Sequence, residues 1–156
     1  MKQVVLAIGI MAIGTAGLFG AATQARAVEV EPSAVLAIRQ AGFDLQGANL
    51  GDIKRAVEAK VTEVKPFKPN AEAILAWSKV IPTLFPAGTD DRAGTTKALP
   101  AVWSDRGGFE RAAAKLSNAS ESLVKAADDN DPAAFAVAFK ATADACGGCH
   151  RPFRAK

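Results

Sequence analysis

The sequence contains no tyrosine, one histidine, two cysteines and two methionines among its 156 residues. Two cysteines exclude a framework of several disulfides. Two cysteines and one histidine give three good zinc ligands, where a structural zinc site takes four. Alternating apolar and polar runs of the strand type are missing, which argues against a sheet. Internal repeats and low-complexity tracts are also missing. Charge of either sign is not in large excess. There are 19 basic and 16 acidic residues, a balance that argues against a nucleic-acid or membrane-surface partner.

What is present begins with a secretory pattern. Lys2 forms a small positive n-region, Val4 to Ala22 is an uncharged apolar run, and Ala25-Arg26-Ala27 is an A-x-A cleavage pattern. Residues 1–27 are therefore expected to be a signal peptide, cleaved after Ala27, with a mature domain over 28–156 in the periplasm. An uncleaved membrane anchor is the alternative, since the run is just long enough to span a bilayer. Cleavage would remove Met1 and Met11 and leave 17 basic and 16 acidic residues, with His150 the sole histidine.

The rest of the chain shows helical spacing in four segments. Over about 33–64, Leu36, Phe43, Leu50, Val57 and Val64 recur every seven residues, with Ser33 the expected N-cap. Gly42, Gly47 and Gly51 weaken that helix or admit a close neighbour. Over about 70–85, Asn70 is the expected cap and Ile74, Trp77, Ile81 and Leu84 form the stripe, with Pro82 kinking the last turn. The third segment is 105–129. The fourth starts with Asp131 as cap and Pro132 at the first helical position, and its stripe is Phe135, Phe139, Thr142, Cys146, Cys149 and Phe153. Four amphipathic helices with mostly short connections predict an all-α, antiparallel up-down-up-down four-helix bundle.

Cys146-Gly147-Gly148-Cys149-His150 is C-x-x-C-H, the attachment signature for c-type haem. On a helix the two cysteines are neighbours at i and i+3, so both thiols face one way and suit two thioethers on one porphyrin edge. His150 follows at once as an axial iron ligand. Competing readings are a thioredoxin-like dithiol, which normally follows a strand, a zinc site, and a plain disulfide. If haem is attached, its function turns on the sixth ligand. The mature chain offers no methionine and no second histidine for that position. The count predicts five-coordinate, high-spin iron.

Read as a whole, the mature chain resembles the cytochrome c′ family, the class II c-type cytochromes. The resemblance rests on Arg39-Gln40, the loop Phe85-Pro86-Ala87-Gly88-Thr89, Pro100-Ala101-Val102-Trp103-Ser104-Asp105, Phe109, and the C-terminal haem motif followed by Arg154. Cytochrome c′ is itself a known example of the up-down four-helix bundle, so the fold expectation is partly supplied by the likeness. The resemblance implies one haem c held by Cys146 and Cys149, with His150 as proximal ligand. It implies Arg39 and Gln40 along the haem edge near a propionate, Phe43 over the vacant face, Arg154 beside His150, and Thr96 in a loop reaching the haem. Members of the family often form homodimers through the first two helices; the residues here suit a homodimer and a monomer equally well.

Blander roles exist for the same residues. Phe43, Trp77 and Trp103 suit core packing, although Trp103 is also a candidate for touching the porphyrin. Arg39 can snorkel to water. Asp128-Asp129-Asn130-Asp131 reads as a capped turn, and Lys65 and Lys68 as solvated. Pro152 is expected to end or bend the last helix, which leaves the place of Arg154 open. The functional expectation is a non-enzymatic periplasmic haem protein that exchanges single electrons with redox partner proteins and binds small diatomic ligands, nitric oxide and carbon monoxide. The alternatives are a dedicated low-spin electron carrier and a haem-dependent peroxidase or nitric-oxide-detoxifying enzyme.

Overall fold

The computed structural model describes residues 30–156. The expected signal segment and the start at Val28 lie outside the described residues. Four long helices, α1 (Pro32–Glu58), α2 (Lys68–Val80), α4 (Arg106–Asp128) and α5 (Pro132–Phe153), form the up-down-up-down bundle, with a one-turn helix α3 (Ala101–Ser104) between the second and third. No strand occurs among the described residues; a lone bridge joins Ala98 to Arg154. No described helix is long and apolar enough to cross a membrane.

Local chemistry explains most of the helix ends, and two expected caps prove wrong. Pro32 takes the first helical positions of α1, which puts Glu31 at the N-cap in place of Ser33. Pro69 does the same for α2, so Asn70 lies inside the helix. The Asn70 side chain instead donates to Asn49 Oδ1 and Asp52 Oδ2, tying α2 to α1. Asp131 caps α5 as expected, accepting from Ala133 N and Ala134 N, and Asp105 caps α4, accepting from Gly108 N. Pro82 converts the end of α2 into a 3-10 turn, Ile81–Leu84.

The first segment ends earlier than its heptad suggests. Lys60 adopts φ 53°, Lys60 N donates to Val57 O and Val61 N donates to Ala56 O. This is a Schellman ending with lysine where glycine is common. Val64 still reaches the core, but from the turn. Asn130 closes α4 in the same way, with φ 53° and Asp131 N donating to Ala126 O. Its side-chain oxygen then accepts from Val64 N and Lys65 N at 2.8 and 3.0 Å, which locks the two turns together at one end of the bundle. Lys68, expected to be solvated, bonds Asp128 there at 2.7 Å.

The core is strongest along α4, which packs on both α2 and α5. Ile53, Leu123, Ala127 and Phe135 are fully buried at its heart. Contact between α1 and α5 is sparse. That seam opens toward the end of the bundle where α5 finishes, and the site lies there.

Candidate functional site

The apolar stripe of α5 changes role along its length. Phe135, Ala138 and Thr142 are buried in the core, whereas Cys146, Cys149 and Phe153 continue the same face as the wall of a cavity. The cavity has a volume of about 660 Å³, within the range of sites that enclose small molecules and cofactors. His150 lines it from α5 and Arg154 from just past its end, Phe43, Gly47 and Leu50 from α1, and Ile74 and Trp77 from α2. Phe85, Val102, Phe109 and Leu116 complete an apolar interior. The motif glycines are open: a Cβ on Gly147 would meet nothing within 4 Å.

Both cysteines are free and half-buried. Burial pushes the Cys146 thiol up. Burial, followed by the neighbouring Cys146, pushes Cys149 up to about 11. Redox dithiols depend on a depressed pKa, so this environment speaks against a thioredoxin-like pair. No group of three or more metal-ligating side chains occurs among the described residues, whereas a structural zinc site takes four. His150 is exposed at the cavity edge, and desolvation on its protein side, then the charge of Arg154, lowers its pKa. The lower value favours the neutral imidazole that metal coordination needs.

Arg39 does not snorkel. It is 2% exposed, with its guanidinium 4.1 Å from the centre of the Phe85 ring. It donates to Leu84 O, to Thr89 Oγ1 and O, and to Thr96 Oγ1 at 3.0–3.3 Å. Burial lowers its pKa, yet arginine stays charged. Among the described residues no carboxylate pairs with it. A buried cation without a counter-charge is costly, and here it lines an apolar cavity.

Residues 95–99 form a strap across the mouth. Gln40 Nε2 donates to Thr95 O at 2.8 Å, and Arg39 holds Thr96, so the strap is fastened to α1. On the other side Leu99 N donates to Phe153 O and Ala155 N donates to Lys97 O, so it is fastened to the end of α5. Helix α5 runs through Pro152 to Phe153, one residue beyond the proline, and Arg154 N still donates to His150 O. The strap then holds Arg154 at the cavity through the Ala98 bridge.

The structure thus brings Cys146, Cys149, His150, Arg39, Gln40, Phe43, Thr96 and Arg154 to one cavity. Trp103 is a correction. It does not line the cavity, because its indole N–H is anchored on Pro86 O at 3.1 Å and its ring stacks edge-on behind Phe85. Trp77, read as core, does line it, at 5.8 Å from the Phe43 ring in a T-shaped pair. Its close fit depends on Gly42, since a Cβ there would sit 1.9 Å from the indole. Gly47 and Gly51 serve no such contact. Lys97, Leu50 and Phe153 were missed; Leu50 and Phe153 continue the stripes of Phe43 and Cys149, while Lys97 carries no periodic signal.

A thiol pair and an imidazole on the last two turns of one helix, at the opened seam of a four-helix bundle, define a c-type haem protein of the bundle class. Comparison with known proteins supplies the particular family. The Cytochrome C' family profile matches residues 34–154. A cytochrome c′ from Rubrivivax gelatinosus is 35% identical over 127 residues, covering 81% of this chain and 98% of that protein. The crystal structure of cytochrome c′ from Rubrivivax gelatinosus superposes with a TM-score of 0.74 at 33% identity, covering 80% of this chain and 98% of the other. A nitric oxide complex of a mutant cytochrome c prime from Alcaligenes xylosoxidans gives a TM-score of 0.73 at 25% identity, covering 82% and 99%. The chain belongs to the cytochrome c′ family and carries covalently attached haem c.

The residues present fit that group. The cavity is apolar where a porphyrin face would lie, two neutral thiols stand on one wall, and the unpaired Arg39 charge suits a cofactor that bears carboxylates.

Proposed function

We propose that this protein is an exported one-electron carrier that also binds small uncharged gases, nitric oxide and carbon monoxide, and that it is not an enzyme. Cys146 and Cys149 are assigned the two thioethers and His150 the iron. Haem, when bound, supplies a one-electron iron couple and a coordination position for a small ligand. The observation that carries this reading is what the cavity lacks. Phe43 lines it from α1 as His150 does from α5, and residues 30–156 contain no methionine and no other histidine.

Two of the donors on the Phe43 side of the cavity are already engaged, Arg39 with Leu84, Thr89 and Thr96, and Gln40 with Thr95. An entering gas therefore meets an apolar side chain and gains no hydrogen bond from a histidine or tyrosine. That environment supports uptake of nitric oxide and carbon monoxide over stable retention of dioxygen. Peroxidase chemistry wants a distal acid or base; no second imidazole lines the cavity, and the carboxylate that does, Asp44, is exposed to solvent on α1. The expected result is that the reduced protein takes up both gases, followed by absorption spectroscopy, and is oxidised in air without a lasting oxygenated form. Stable oxygenation with no response to nitric oxide would contradict it.

Export follows from the signal pattern in residues 1–27, with cleavage after Ala27 placing the mature chain in the periplasm. A homodimer is part of the proposal. On α1, Ile38 and Leu45 are 54% and 60% exposed and lie seven residues apart, with Ala34, Ala41 and Ala48 exposed on the same stripe. A second copy would bury that stripe. Sedimentation should give a dimer at micromolar concentration, and Leu45→Glu should shift it to monomer; a wild-type monomer would remove this part of the proposal.

A further inference from the structure

We propose that the mouth of the cavity is a docking surface for a redox protein with an acidic face, built from Lys97, Arg151, Arg154 and Lys156. This rests on the electron-transfer reading above. The four cations come from two distant stretches of chain, joined by the Lys97–Ala155 backbone bond at 2.8 Å and the Ala98–Arg154 bridge. All four are exposed. None is in an ion pair among the described residues, although eight other lysines and arginines of the bundle are. Residues 92–104 and 145–156 contain no aspartate or glutamate. The carboxylate side chain lining the cavity is Asp44, on α1.

Surface charge left unpaired does little for stability, but it steers an oppositely charged partner and raises its on-rate. Lys97 and Arg154 also line the cavity itself, so a partner held here is held beside the cavity that takes the cofactor. Nucleic acid is disfavoured by the near-neutral charge of the chain, 17 basic against 15 acidic residues over 30–156.

The test uses the reduced holoprotein and two one-electron oxidants of opposite charge, hexacyanoferrate(III) and tris(phenanthroline)cobalt(III). One electron leaves the protein in each case, giving hexacyanoferrate(II) or the cobalt(II) complex, with no atom transferred. The hexacyanoferrate rate should fall on the order of tenfold from low to about 0.3 M ionic strength, and the cobalt rate should rise. The double variant Lys97→Glu/Lys156→Glu should flatten or invert both dependences. Lys60→Glu/Lys65→Glu makes the same change in net charge at the other end of the bundle, about 33 Å away along α5, and should keep the wild-type pattern. If the two double variants behave alike, net charge alone is acting and the docking surface is overturned. If neither oxidant accepts an electron from the wild type, the electron-transfer reading fails instead, and this proposal falls with it.

Discussion

Replacing Cys146 and Cys149 together by alanine should abolish covalent haem: acidified organic solvent should strip all the colour from the variant and none from the wild type. Haem staining after denaturing electrophoresis reads the same difference, and haem retained on the variant through denaturation would break the assignment. The effect should reach beyond the cofactor. An empty apolar cavity costs about 24 cal/mol per Å³. For the cavity of about 660 Å³, that scale gives about 16 kcal/mol, an upper bound because the mouth admits water. A domain of this size holds only about 5–15 kcal/mol in all. The haem-free double variant should therefore lose the fixed packing of α1 against α5 while keeping much of its helix. Near-ultraviolet circular dichroism should collapse and the far-ultraviolet signal should largely persist. Native-like near-ultraviolet dichroism in the haem-free variant would mean the seam closes without the cofactor.

The second large effect concerns Phe43. Its ring packs edge-on to Trp77 at 5.8 Å and tilted to Phe85 at 6.3 Å. A gas that reaches the space behind it must displace the ring and break both contacts. Aromatic pairs of this kind are worth about 0.5–1.5 kcal/mol each, so the barrier they add is about 1–3 kcal/mol. Phe43→Ala should then speed carbon monoxide association roughly 5- to 150-fold, measured by flash photolysis of the reduced protein. Phe43→Leu should fall between the two, since it keeps apolar bulk but loses the aromatic edges. An unchanged association rate in Phe43→Ala would show that Phe43 is core packing and not a gate.

Much of this was legible in the sequence, because its strongest signals are local. The Asp131-Pro132 start, the stripe from Phe135 to Phe153 and the C-x-x-C-H spacing all act within one helix, and each is where periodicity puts it. The misplaced caps at Ser33 and Asn70 share one cause. A proline beside a polar residue takes the first helical turn for itself and moves the boundary outward. The early end of α1 was hidden because Lys60 supplies a left-handed residue without glycine. What could not be read was non-local. Arg39 meets partners 45 to 57 residues away, and the strap that carries Lys97 to Ala155 leaves no periodic trace. Trp103 was drawn toward the haem by its place in a motif, yet its indole nitrogen is held by Pro86.

The pairing of one imidazole with an otherwise bare iron is the central claim, and the absorption spectrum of the purified protein, oxidised and reduced, tests it most directly. The account predicts high-spin spectra in both states with no methionine–iron charge-transfer band. Low-spin spectra in the absence of added ligand would contradict it and would point to Lys97, the amine side chain that lines the cavity.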